Sequence, residues 1–262
     1  LIIDTHCHLD DKRFDEDIHE VIKRAREKDV KGFLIPGADP DDLERARELS
    51  YTYEGVFFAV GVHPYEWKKY DEERLREFAK DEKCIAIGEC GLDYYRLPDD
   101  EKRKIEEKEN QKAVFKAQIA LAKELKKPLI IHIRDASFDS REILIKEGAQ
   151  EVGGVLHCYN ASPMLLDMAE RNFYFGIGGV ITFQNAKKLV QILPEVPREK
   201  ILIETDAPYL TPHPFRGKRN EPAYTVYIAE KIAEILNMDF DEVCELTTRN
   251  AKTLFREFDS IN

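Results

Sequence analysis

The sequence predicts an α/β fold, a closed (β/α)8 barrel of the TIM type, in one domain spanning residues 1–262 with an extra C-terminal helix. Three observations carry that expectation. Eight short apolar runs alternate with segments of helical period, and no stretch between them is long or compositionally simple enough for an interdomain linker. The acid and imidazole side chains also sort themselves to the C-terminal ends of those runs, where barrels build their sites. A doubly wound open sheet is the alternative, but it does not call for eight units, and no Gly-x-Gly-x-x-Gly turn follows a strand.

The first run, residues 1–5, leads into His6-Cys7-His8, and side-chain alternation puts the two imidazoles on one face of a strand end. Runs at 32–35 and 56–60 follow, with His63 just beyond the third. The fourth, 84–88, ends at Glu89. Val114, Phe115, Gln118, Leu121, Ala122 and Leu125 then form a mostly apolar helical stripe that Lys127-Pro128 stops. The fifth strand, 129–133, carries His132 near its end, with Arg134 two residues on and on the same side. Strand 154–156 delivers His157, strand 173–177 carries no candidate, and strand 201–203 leads to Asp206. A Pro-rich loop at 207–214 precedes a helix carrying Ile228, Ala229, Ile232, Ile235 and Leu236, and Asp239 with Glu242 makes a capping pair for a last helix.

Five of the seven histidines and two carboxylates therefore stand at strand ends. His19, among acidic residues of a surface helix, reads as solvated, and His213 as a loop residue. Six ligands of this type (His6, His8, Glu89, His132, His157, Asp206) exceed what one tetrahedral ion needs and suit two divalent ions sharing a carboxylate. Nitrogen and oxygen donors admit Zn or Mn, and Mg with added waters. Cys7, Cys90 and Cys158 neighbour candidate ligands, but alternation points them toward the covering helices. Asp4 and Glu204 share phase with His6 and Asp206, as ligand-orienting groups or as satisfied interior carboxylates.

Five cysteines without a Cys-x-x-Cys pair fit reduced thiols, and no apolar run approaches the ~20 residues of a membrane span, so a soluble cytoplasmic protein is predicted. A net charge of -11 speaks against a protein that coats duplex DNA, though not against a locally basic site. Arg216, Lys218 and Arg219 supply such charge beside the eighth strand, suited to single-stranded DNA or strand ends, with Tyr94, Tyr95 and Tyr209 available to stack bases or simply to pack. No stable protein partner is inferred.

These residues resemble one family along nearly the whole chain. Ile2 to Asp10, Gly61-Val62-His63-Pro64, Gly88 to Tyr95, Pro128 to Ala136, Ile203 to Tyr209 and Arg216 to Pro222 are similar to landmarks of the TatD-family metal-dependent hydrolases. That resemblance implies a metal-dependent TIM barrel related to the amidohydrolases, with deoxyribonuclease activity, the six residues above as metal ligands and Glu89 bridging two ions. Two departures bear on substrate preference: Phe138 stands where the family usually has an acid, with Asp139 one later, and His157-Cys158-Tyr159-Asn160 replaces a His-Cys-Phe-Ser-Gly run.

The leading expectation is hydrolysis of DNA phosphodiesters by a metal-activated water. Asp206 would orient or deprotonate the nucleophile, with Glu89 between the ions. Arg134 would bind phosphate unless an acid pairs with it, and His63 would hydrogen-bond a phosphoryl oxygen or protonate the leaving group. A small-molecule amidohydrolase or phosphoesterase using the same metals is the first alternative, and a metal-binding interaction protein without catalysis the second.

Overall fold

The computed structural model describes residues 1–262. Its strands are β1 (Ile2–Asp4), β2 (Val30–Ile35), β3 (Val56–Val60), β4 (Cys84–Asp93), β5 (Leu129–Arg134), β6 (Gly154–Leu156), β7 (Phe173–Ile177) and β8 (Ile201–Ile203). All neighbours pair in parallel, in the order β1 to β8. The barrel closes between its first and last strands. Thr5 donates its N–H (3.1 Å) and hydroxyl (2.9 Å) to the Ile203 carbonyl, and the Asp206 N–H reaches the His6 carbonyl at 2.8 Å.

Parallel strands covered on both faces must be apolar on both. Here the two faces serve different cores. Ile3, Leu34, Phe57, Ile85, Ile130, Val155, Tyr174 and Leu202, one from each strand, fill the barrel interior. The opposite faces, with Phe33, Phe58, Ile87, Ile131, Phe175 and Ile203, pack against the surrounding helices. Those helices are α1 (Ile18–Glu27), α2 (Leu43–Thr52), α3 (Glu72–Ala79), α4 (Glu101–Leu125), α5 (Ser137–Lys146), α6 (Lys187–Ile192), α7 (Thr225–Leu236) and α8 (Phe240–Leu254). The burial of Ile18, Val21, Ile22 and Ala25 in α1 shows the spacing that makes such a helix form: one apolar stripe at three- and four-residue intervals.

The predicted fold class is the observed one, with three local differences. β4 continues to Asp93 because β5 pairs with it as far as Asp93 and Arg134, so partner hydrogen bonds extend the strand where its apolar run has stopped. α4 begins 13 residues before the stripe that predicts it, under an Asp100 cap that accepts from the Arg103 N–H, and ends at Leu125 as Lys126 turns left-handed. Between β6 and β7 the covering segment is a 3-10 helix, Pro163–Arg171, still burying Leu165, Met168 and Ala169. The predicted capping box on α8 forms, with Asp239 and Glu242 each accepting the other's backbone N–H.

The C-terminal segment closes the barrel floor. Phe255, Phe258 and Ile261 join the interior cluster beneath the strands, and Phe258 meets Phe57 edge to face with centroids 5.1 Å apart. No helix is long and apolar enough to cross a membrane. Replacing fully buried Phe258 with alanine should destabilise the protein by about 3–5 kcal/mol, the usual range for an emptied aromatic site, as read by denaturant unfolding. An unchanged midpoint would mean that the floor does not contribute to the core.

Candidate metal centre

Above the apolar layer the interior turns polar. On β5, β6 and β8 the inward face runs unbroken from core to site: Ile130 to His132 to Arg134, Val155 to His157, and Leu202 to Glu204 to Asp206. In β1 the phase changes, because Ile3 rather than Ile2 faces the interior and the chain bends at Thr5 before His6. A register slip between Ile87 and Cys90 accompanies the inward turn of Glu89. All six nominated ligands meet in one place.

Glu89 is the hub. Its Oε1 lies 3.1 Å from His6 Nε2 and 3.9 Å from His8 Nε2, and these same nitrogens are 3.4 and 3.0 Å from Asp206 Oδ1. Its Oε2 lies 3.0 Å from His132 Nδ1 and 3.7 Å from His157 Nε2. The two carboxylate oxygens thus face two different sets of donors. Burial works against charge on His6 and on Glu89, but the Glu89 carboxylate overrides it for His6, held well above the ordinary imidazole range, and the imidazoles of His157 and His6 override it for Glu89, held well below the ordinary carboxylate range.

Proximity does not satisfy these groups. Both ring nitrogens of His6 and Oε1 of Glu89 are buried without a properly aligned hydrogen bond, as is Oε2 of Glu204. An orphaned buried polar group costs about 1–3 kcal/mol, so several together at one hub need a compensating species. Divalent cations fit that need, since imidazole nitrogens and carboxylate oxygens facing one another at these distances are the donor chemistry of Zn, Mn or Mg sites. His6–His8–Asp206 and His6–Glu89–His157 each bring three such atoms within 4.8 Å of one another.

Further carboxylates stand behind the imidazoles. Glu204 Oε1 accepts from His157 Nδ1 at 2.8 Å and from the Cys158 N–H at 2.6 Å, which fulfils the orienting role of Glu204. Gly176 leaves room for it, since a Cβ there would lie 2.4 Å from Glu204 Oε2. Asp4 does something else: it accepts from the backbone N–H groups of His6 and Thr205 and from the Thr205 hydroxyl, tying β1 to β8 without touching a ligand ring. Asp93 was not among the nominated residues, yet its Oδ2 accepts from His132 Nε2 at 2.8 Å. The signal was the two-residue spacing of Glu89, Gly91 and Asp93, readable only once β4 is known to run that far.

Asp206 sits in the left-handed region, φ 58°, a conformation that needs support from its surroundings. Buried Asn220 supplies it, donating to the carbonyls of Thr205 and Tyr209 on either side. Burial pushes Asp206 up, but the adjoining imidazoles of His6 and His8 prevail and hold it well below the usual carboxylate range. His63 lies with Nε2 3.8 Å from Glu89 Oε2, and its Nδ1 accepts the Tyr65 N–H at 3.1 Å. Burial and the neighbouring His132 lower its pKa to about 4.

The site opens into a cleft of about 1440 Å³ lined by Arg96, Arg134, Asn160, Lys187, Lys188 and Tyr209 among others. Arg134 is exposed, makes no ion pair, and stacks over the Tyr95 ring at 3.7 Å. Tyr95 and Tyr209 are 57% and 45% exposed, whereas the Tyr94 hydroxyl is tied to Asp139. Asp139, one place late relative to the family pattern, thus ties to Tyr94 and to Lys112 of α4 and leaves Phe138 exposed. Asn160 bridges to Ser137 across the loops after β6 and β5.

Two expectations are corrected. Arg219 forks onto Asp17 and donates to the Arg13 carbonyl, so it braces the N-terminal loop and offers no free charge to a substrate; Arg216 stacks on Phe183. Cys158 does not face the helices. Strand β6 ends at Leu156, Cys158 is left-handed at φ 46°, and it lines the cleft, while Cys7 and Cys90 are buried as expected. His19 is exposed on α1 and His213 is an exposed loop residue.

The family described as TatD related DNase matches residues 3–256. An "uncharacterized metal-dependent hydrolase", YabD of Bacillus subtilis, is 45% identical over 262 residues, covering 98% of this chain and 99% of its own. The "3'-5' ssDNA/RNA exonuclease TatD" of Klebsiella pneumoniae is 33% identical, with 97% of each covered. Among solved structures, YJJV, a TatD homologue from Escherichia coli, superposes with a TM-score of 0.86 at 28% identity, over 97% of this chain and 98% of that one.

The charge balance at the hub predicts a pH dependence. Burial opposes protonation of His132, but Asp93 and Glu89 raise its pKa to about 9, against about 6.5 unfolded. Its contribution to stability is full below the unfolded value and is lost as pH climbs to about 9. Metal-stripped protein should therefore melt at lower temperature at pH 9 than at pH 6.5. Stabilisation by added Zn or Mn should grow over the same window, because ligation requires the neutral imidazole. A flat melting profile would contradict this account.

Proposed function

Because the chain belongs to the TatD-related DNase family of metal-dependent hydrolases, we propose that it is a deoxyribonuclease, acting in the cytoplasm on single-stranded DNA or strand ends. Residues 1–262 act as one hydrolase domain, with His6, His8, Glu89, His132, His157 and Asp206 holding two divalent cations, Mg, Mn or Zn. The observation that carries the metal reading is the division of donors about Glu89, whose Oε1 faces His6 and His8 while Oε2 faces His132 and His157. The relatives named as ssDNA/RNA exonucleases, 33% and 34% identical, support the substrate class. The five free cysteines suit a reducing compartment.

When bound, the cations supply Lewis acidity that lowers the pKa of water and neutralises charge on phosphate oxygens. The protein's own groups do the rest. Asp206 Oδ1 faces the two imidazole nitrogens that would hold a cation with it, leaving Oδ2 to orient the attacking water and take its proton. His63 is neutral at pH 7, and since Nδ1 accepts from the backbone, its proton sits on Nε2; it serves as a hydrogen-bond donor to a phosphoryl oxygen rather than as an imidazolium acid. Arg134, free of any carboxylate, binds the phosphate flanking the scissile bond, with the exposed Tyr95 ring beside it as a base-stacking surface.

The small-molecule hydrolase alternative gains from one observation, the loss of Arg219 to its pair with Asp17, which thins the basic loop. Cleavage of end-labelled single-stranded and duplex DNA by chelator-stripped protein, with Mg, Mn or Zn restored, separates the two. Metal-restored cleavage with a product ladder is expected, and Asp206→Asn should lower turnover by about 10²–10⁴-fold, the usual contribution of a positioned proton acceptor, without loss of fold. Arg134→Ala should lower kcat/KM on oligonucleotides by about 10- to 100-fold, matching the ~1.5–3 kcal/mol of a charge-assisted hydrogen bond, while sparing a small phosphodiester. Stoichiometric metal uptake with no DNA cleavage would overturn the nuclease reading in favour of a small-molecule substrate.

A further inference from the structure

Only two of the imidazoles at the hub have their far nitrogen tied to a carboxylate outside the six proposed ligands. His132 Nε2 donates to Asp93 Oδ2, and His157 Nδ1 donates to Glu204 Oε1, each at 2.8 Å. Each ring is thereby turned to present its other nitrogen toward Glu89 Oε2. Across the hub the arrangement differs: neither ring nitrogen of His6 has a hydrogen-bond partner, and His8 meets Asp206, which belongs to that same half.

Asp93 is in turn held from every side. It is 1% exposed; its Oδ1 accepts the Tyr65 hydroxyl and the Tyr95 N–H, its N–H donates to Gln111 Oε1, and its carbonyl accepts from Gln111 Nε2. A carboxylate on the distal N–H of a ligating imidazole fixes its tautomer and direction and raises its basicity, which is worth about 10- to 100-fold in metal affinity. A chain of contacts from Tyr65 through Asp93 to His132 thus prepares one half of the centre, and nothing equivalent prepares the other.

Resting on the metal-centre reading above, we infer that the two halves bind divalent cations with unequal affinity, the Glu89–His132–His157 half being tighter and filling first, with Asp93 and its support Tyr65 as positioning residues that create much of the difference. The second half, His6–His8–Asp206, then fills only at higher cation concentration. Free divalent cation would thereby set the fraction of fully loaded enzyme.

The test is a titration of chelator-stripped protein with Zn²⁺ by calorimetry and with Co²⁺ by visible absorption, both independent of turnover. The unaltered protein should take up two ions in two resolved steps. Asp93→Asn should weaken the first step by about 10- to 100-fold and alter its Co²⁺ spectrum while leaving the second step in place. Tyr65→Phe, which deletes one hydroxyl and keeps the ring, should weaken the same step by less, and it decides the matter if Asp93→Asn fails to fold by circular dichroism. His8→Ala should abolish the second step alone. Two equal steps, or a first step unmoved by both Asp93→Asn and Tyr65→Phe, or both steps weakened alike, would overturn the inference. Failure of the unaltered protein to take up either metal would instead overturn the metal-centre reading itself.

Discussion

A barrel interior that ends in buried carboxylates has to compensate their charge without water. Asp4, Glu89, Asp93 and Glu204 are each 3% exposed or less, and leaving even one ionised and unpartnered at that depth would cost several kcal/mol. The rest of the upper molecule answers that demand. Asp4 is consumed by backbone donors and the Thr205 hydroxyl, Asp93 and Glu204 by far-side imidazole nitrogens, and Glu89 by imidazoles on both flanks. What remains after this pairing is a small set of orphaned atoms at the hub, and these belong to side chains aimed inward from several different strands.

The barrel itself and the half of the hub on β5, β6 and β8 were legible because each depends on one strand at a time, whereas His6, His8 and Glu89 stood out by residue type at a strand end. A short apolar run is recognisable alone, and alternation carries its inner face forward to His132, His157 and Asp206 without knowledge of any neighbour. What escaped depends on pairing between strands. β4 reaches Asp93 only because β5 runs beside it, so the residue that grips His132 looked like part of a loop motif. Cys158 turns into the cleft because its backbone is left-handed, a state that a non-glycine residue does not advertise. Arg219 looked like a free cation until Asp17, 202 positions earlier, proved to be its partner.

The loop after β8 shows the same division. Its basic residues attracted attention, whereas its working part is Asn220, fully buried and donating to two carbonyls that flank the left-handed Asp206. A loop can matter to chemistry by holding a backbone carbonyl in place. Reading charge alone overlooks such residues, since an amide that bonds only to main chain leaves no pattern in the sequence.

The barrel floor, built from Phe255, Phe258 and Ile261, and the seam between β1 and β8 together impose an order on biosynthesis. A nascent chain that has emerged only through β7 possesses every strand that carries His6, His8, Glu89, His132 and His157, but its sheet is unpaired at both β1 and β7 and its interior apolar layer is uncovered below. Those imidazoles and that carboxylate therefore lack the closed barrel that sets their final spacing until β8 has emerged. Completion falls to the segments that follow β7, and until they are in place the polypeptide is an unsealed parallel sheet, the kind of intermediate that exposes strand edges and apolar surface to its neighbours.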